Sequence, residues 1–231
     1  MRLPSAAHES RPWRIRGIAS DFTLEDVWAL PVRGRAEDFE KVLEMAASLD
    51  AANADSLPAR VLWRVRDLLG SWFGIGRISV PDGDRAADAE ADAGLPIPGT
   101  DAEVSLADRL PDDLRGTVAD LDFGSLPFTP LYRTDVEFAA EVSNQTVHGV
   151  LHLGWADQGE GNFQGQMAVY VKPRGALGVG YMALIKPFRY LVVYPALMRQ
   201  LEREWQARGG GGAPPEMERT PSGTARRSPA Y

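Results

Sequence analysis

Two glutamates and two histidines fall where strand pairing would bring them together. Between residues 134 and 155, Glu137 and Glu141 alternate with Val136, Phe138, Ala140 and Val142, and His148 and His152 alternate with Val147, Leu151, Leu153 and Trp155. That alternation predicts two strands, each with one apolar face. A two-residue turn at Asn144-Gln145, where Asn tolerates positive φ, sets Val142 opposite Val147, Phe138 opposite Leu151 and Val136 opposite Leu153. Both apolar faces then coincide, and a slip of one residue would destroy the match. On the other face the same register puts Glu141 opposite His148 and Glu137 opposite His152. A carboxylate beside an imidazole can raise the imidazole pKa and position a general base, so these four are the candidate catalytic residues. The plainer expectation is a pair of cross-strand ion pairs on a solvated face. Ligation of one metal by both histidines is excluded, because four residues of strand separate them by about 13 Å.

A second stretch could bind an anion. "KPRGALGVG", residues 172–180, joins a predicted strand to a predicted helix, with Lys172 and Arg174 beside the glycines. Backbone donors at a helix N-terminus and two cations suit a phosphate or carboxylate, so Lys172, Arg174 and Gly178 form a possible anion site. The spacing matches neither a Walker loop nor a dinucleotide fingerprint, and helix entry also accounts for the glycines.

These residues need a scaffold. A third strand is predicted over 163–172, where Phe163, Met167, Val169 and Val171 alternate with Gln164, Gln166 and Tyr170. The three strands form an antiparallel meander with one dry and one wet face. Over 181–198 a helix is predicted: at 100° per residue, Tyr181, Leu184, Ile185, Phe188, Leu191, Val192 and Pro195 cluster around Phe188 and would cover the dry face. Upstream, a strand is expected over 26–32 and a helix over 36–49 with Phe39, Val42, Leu43, Ala46 and Leu49 inward. A second helix is expected over 58–73, carrying Leu62, Val65, Leu69 and Phe73. Residues 12–206 are read as a single domain. Residues 1–11 read as a flexible N-terminus, 81–103 as an exposed loop with seven acids and one arginine, and 207–231 as a disordered Gly/Pro-rich tail.

Composition narrows the function classes. With 231 residues, 44% hydrophobic and 25% charged, the chain fits a globular protein. A formal charge of -7 argues against nucleic acid as a partner. The absence of cysteine excludes disulfides, thiolate metal sites and a cysteine nucleophile. No metal or cofactor is expected. The uncharged runs 175–185 and 190–198 fall short of the ~20 residues that a membrane span needs. The N-terminus "MRLPSAAHESRPW" has no apolar export segment, so a cytoplasmic location is the expectation.

Three phrases carry a resemblance: "EVSNQTVHGVLHLGW" at 141–155, "GQMAVYVKPRGALG" at 165–178 and "YMALIKPFRYLVVYPALM" at 181–198. They resemble the bacterial family called domain of unknown function 2867, most closely in Leu177-Gly178, Tyr181 and the "IKPF" of Ile185 to Phe188. Relatives often carry arginine and histidine where this chain has Val179 and Arg189, so no catalytic role is carried over to those positions. The family is grouped with the START-like, birch-pollen-allergen-like proteins of the SRPBCC superfamily. That grouping implies an α+β helix-grip fold, an antiparallel sheet wrapped around a long C-terminal helix. It also implies an apolar cavity, whose lining would include Phe138, Leu151, Trp155, Tyr181, Leu184 and Phe188. Three functions follow as expectations. The first is a module that binds a small apolar molecule. The second is a cyclase-, hydratase- or isomerase-type enzyme with a histidine or carboxylate as its acid–base group. The third is a membrane-peripheral protein using Tyr190, Val193 and Tyr194 beside Arg189 and Arg199.

Overall fold

The computed structural model describes residues 1–48, 105–119, 128–143 and 147–210. The expected helix over 58–73, the acidic loop over 81–103, the Asn144-Gln145 turn and the tail beyond residue 210 lie outside these residues. Five strands form one antiparallel sheet: β1 (Thr23–Gly34), β2 (Thr129–Arg133), β3 (Glu137–Ser143), β4 (Val147–Gly159) and β5 (Asn162–Pro173). Their order across the sheet is β1-β5-β4-β3-β2. Two short helices, α1 (Ala6–Glu9) and α2 (Ile15–Ile18), precede β1, and α3 (Phe39–Ser48) follows it. After β5 come α4 (Gly175–Phe188), a π-helical turn (Arg189–Val193) and α5 (Tyr194–Ala207). The fold is therefore α+β, a five-stranded antiparallel sheet with a long C-terminal helical segment. Among the described residues no helix is long and apolar enough to cross a membrane.

The predicted dry face is the one that packs on the C-terminal segment. Phe138, Ala140, Leu153, Trp155 and Met167 form a core with Phe39, Val42, Leu43 and Met45 of α3 and Tyr194, Leu201 and Trp205 of α5. The opposite face differs from expectation, because it is not solvated. Trp13, Ile15, Ile18 and Phe22 cover it from the N-terminal side, joined by Leu106, Leu110 and Leu114, and they pack on Ala139, Val150, Ala168 and Tyr170. Composition gives residues 1–11 the look of a loose end, yet they are docked. The Leu3 N–H donates to the Val27 carbonyl and the Ala29 N–H to the Met1 carbonyl, both at 2.8 Å, so the first residues extend the sheet edge at β1. Backbone pairing, to which composition is blind, supplies the order that side-chain burial would otherwise have to provide.

The terminal helix also departs from its predicted phase. The packed side chains are Tyr194, Leu201 and Trp205, whereas Leu184 and Leu191 of the predicted stripe are 54% and 77% exposed. The cause lies in the backbone. Pro187 sits inside α4 without an N–H to donate, and the next turn is π-helical. Each π turn takes in an extra residue, so a uniform 100° projection drawn through it assigns the wrong face downstream. Phe188 itself is half-buried. Phe188→Ala is accordingly expected to cost about 1–2 kcal/mol in urea unfolding, below the 3–5 kcal/mol roughly typical of a fully buried phenylalanine.

Candidate functional site

The two histidines and two glutamates meet as predicted in face but in a different register. Ser143 pairs with His148, Glu141 with Val150, Ala139 with His152 and Glu137 with Gly154, a shift of two residues from the expected alignment. A shift of two keeps every side chain on its face and changes only its partner. The glutamates reach their histidines diagonally: His148 Nε2 lies 2.9 Å from Glu141 Oε2 and His152 Nε2 lies 3.0 Å from Glu137 Oε2. All four residues are buried, His152 completely. The expectation of exposed ion pairs is therefore overturned, and the covering N-terminal segment is the reason. Gly154 makes that cover possible, since a Cβ there would stand 2.8 Å from the Trp13 ring.

Each carboxylate gathers donors from several parts of the chain. Glu137 accepts the Arg14 backbone N–H at 2.9 and 3.0 Å, the Tyr132 hydroxyl at 3.1 Å and His152. Glu141 accepts the Ser105 hydroxyl, the Leu106 N–H at 3.0 Å and His148. Burial pushes both carboxyls up, but the bonds from histidine, hydroxyl and backbone donors outweigh it and hold both below the ordinary range. Sequence reasoning missed the third histidine of the group. His8 is fully buried, its Nδ1 lies 2.7 Å from Gln166 Oε1 and its Nε2 lies 3.0 Å from the Tyr170 hydroxyl. Its ring meets that of His152 edge-on at 5.0 Å. Burial, then the neighbouring His152, lowers the His8 pKa to about 4, and burial lowers His152 as well. Both rings are thus neutral near pH 7. With Nε2–H given to Glu137, His152 is left with Nδ1 as an acceptor, and that atom is buried with no hydrogen-bond partner. In chemical terms the network holds protons in fixed places, and its other donors and acceptors point at the chain itself. It latches the N-terminal segment and the Ser105–Leu106 turn onto the sheet.

A second buried polar cluster, unexpected from the sequence, ties β1 to the π turn. Asp26 follows a bulge in β1, since Leu24 pairs with Tyr170 and Asp26 with Val169. Its carboxylate accepts Arg189 Nη2 at 2.6 Å, the Tyr194 hydroxyl at 3.0 Å and the Tyr190 hydroxyl. Burial and the bond to Asp26 push the Tyr190 hydroxyl up to about 12. Tyr190, Tyr194 and Arg189 are therefore turned toward Asp26, not presented as the interfacial membrane face read from their types. The one sequence signal was a lone arginine in an apolar run, which must find a counterion if it is buried.

The expected anion site is arranged otherwise. Lys172 Nζ lies 3.0 Å from Asp21 Oδ2, and Asp21 also pairs with Arg109. Arg174 donates to the Ser143 hydroxyl at 2.9 Å and to the Val147 carbonyl at 3.3 Å. The Gly178 N–H donates to the Arg174 carbonyl, so it is already committed within the helix. These residues anchor the start of α4 and the end of β5. Among the described residues no group of three His, Asp or Glu gathers as a metal site would require.

The six expected cavity residues separate into three groups. Phe138 and Trp155 are fully buried, with Trp155 stacked between Phe39 and Phe163 and bonded through Nε1 to the Arg35 carbonyl at 2.8 Å, so both belong to the closed core. Leu151, Tyr181 and Phe188 are half-buried, and Leu184 is largely exposed. Helix α4 is held at its two ends by different strands of the sheet. Arg174 binds β3 and β4 at its start, while Lys186 pairs with Glu25 at 2.7 Å and Arg189 with Asp26 of β1 just past its end. Fourteen residues reach about 21 Å, enough to cross the three strand spacings of about 14 Å diagonally. No described side chain of α4 is fully buried, and Val142, Val147, Leu151 and Val169 on the strands are only half-covered. Helix α4 is thus pinned at both ends, with half-covered apolar side chains on it and on the strands it crosses.

Residues 18–196 match the model of a family described as protein of unknown function (DUF2867). Comparison with curated proteins and with solved structures finds no match.

Proposed function

The chain belongs to the family described as protein of unknown function (DUF2867), and we propose that it binds a small apolar molecule between α4 and the sheet. The observation that carries this reading is the bridging helix: it is anchored to β3–β4 and to β1, yet none of its described side chains is fully buried. In this reading Leu151 and Val169 would be the floor, and Tyr181, Ile185 and Phe188 the roof. Apolar surface left half-covered on both sides is what a ligand would bury, at roughly 25 cal/mol per Å². The reading accords with a helix-grip arrangement, in which a terminal helix closes over a curved sheet. Catalysis by Glu137, Glu141, His148 or His152 has less support, because those residues occupy the other face and are spent on latching the N-terminal segment.

The test is titration of the full chain with N-phenyl-1-naphthylamine, an uncharged apolar fluorophore. A saturable rise in fluorescence is expected. Leu151→Trp should fill the groove and weaken binding about tenfold or more while the thermal midpoint holds within a few degrees. Absence of saturable binding, or equal binding by a folded Leu151→Trp variant, would overturn the reading.

A further inference from the structure

Away from that groove, a cleft of about 540 Å³ opens beside β1, between the N-terminal segment and α5. Its size is that of a small-molecule site. Three guanidinium groups line it, from Arg11, Arg33 and Arg199, against the single carboxylate of Glu202. Among the described residues Arg33 and Arg199 have no ion-pair or hydrogen-bond partner for their side chains, although Glu202 is a neighbour in the cleft. Arg11 spends one donor on the Asp157 carbonyl at 2.9 Å. Apolar surface from Leu3, Leu30 and Met198 completes the wall.

The deepest polar group is Gln166, which is 4% exposed and lines the cleft. Its orientation is set from behind. The Tyr170 hydroxyl donates to His8 Nε2, which leaves Nδ1–H to donate to Gln166 Oε1 at 2.7 Å. With its oxygen committed, Gln166 has only its NH2 donors to offer the cleft that it lines. A guanidinium cluster, a pre-oriented amide donor and an apolar wall together select an acceptor-rich, negatively charged head on an apolar body.

We propose that this cleft binds a small organic carboxylate, with Arg33, Arg199 and Gln166 holding the carboxylate and Leu30 and Met198 packing on its apolar part. This site is separate from the groove under α4 and does not depend on it. Gln166 is a ligand-binding residue in this scheme, and His8 is its positioning residue.

Isothermal titration of the full chain with hexanoate, and with hexanol as its uncharged counterpart, tests the assignment. Hexanoate should bind with a Kd of about 1 mM or tighter, and hexanol at least about tenfold more weakly. Both arginines are exposed, so the double variant Arg33→Gln/Arg199→Gln should keep its thermal midpoint and lose hexanoate affinity by about tenfold or more. Arg33→Lys/Arg199→Lys should retain part of that affinity, and Leu151→Trp should retain all of it. No hexanoate binding, equal binding by the Gln double variant, or loss of hexanoate binding in Leu151→Trp would each overturn the proposal.

Discussion

Replacing Asp26 with alanine is expected to lower the unfolding free energy by about 3–5 kcal/mol. The Asp26 side chain is fully buried and is the counterion of Arg189, itself only 13% exposed. It also accepts the hydroxyls of Tyr190 and Tyr194. Its removal strands a cation in the interior, with the Tyr194 hydroxyl as the remaining acceptor on the guanidinium. Because the cluster joins the π turn to β1, the loss also frees the segment that places α4 over the sheet. Urea unfolding measures the effect. The paired replacement Asp26→Leu/Arg189→Met should be milder than Asp26→Ala alone, since it removes both charges together. A change below about 1 kcal/mol for Asp26→Ala would mean that water, not Asp26, solvates Arg189.

Acidification is expected to destabilise the fold well before the carboxylates of an ordinary surface titrate. Burial holds the His8 pKa at about 4 in the folded state, against 6.5 in the unfolded chain. Below pH 6.5 the unfolded state therefore binds more protons than the folded one. The contribution of neutral His8 is present in full above that pH and is lost progressively down to about pH 4. Integrated over this window the loss is roughly 3 kcal/mol. His152 is shifted the same way and adds to the slope. Glu137 and Glu141 titrate below their ordinary range, so their stabilisation holds above about pH 4.5 and fails as the pH falls further. Thermal midpoints recorded from pH 7 to pH 4 should fall steadily. His8→Gln should start lower and fall less steeply between pH 6.5 and 4. A variant profile parallel to that of the natural chain would show that His8 does not carry the effect.

Much of the sheet was legible because strand alternation is local. Phe138, Ala140, Leu153, Trp155 and Met167 share one face for the reason that alternate residues of any strand do. Helix α3 was legible through Phe39, Val42 and Leu43, and family membership through the phrases between 141 and 198. The hairpin register was recovered in parity but not in alignment, because a shift of two residues leaves the pattern of faces unchanged. The phase of the terminal helix was lost at Pro187, where the backbone ceases to advance 100° per residue.

For the strands, backbone periodicity alone fixes which residues share a face, and the sequence suffices to read it. Whether a face is wet or dry was decided by the tertiary structure. Glutamate and histidine on a strand look the same whether they meet water or the Arg14 N–H, Tyr132 and Leu106. Those partners lie 123, 5 and 35 residues away along the chain. The same holds for His8, whose partners Gln166 and Tyr170 lie 158 and 162 residues away. Burial of a polar group depends on whether distant segments supply its hydrogen bonds, and no local pattern records that supply.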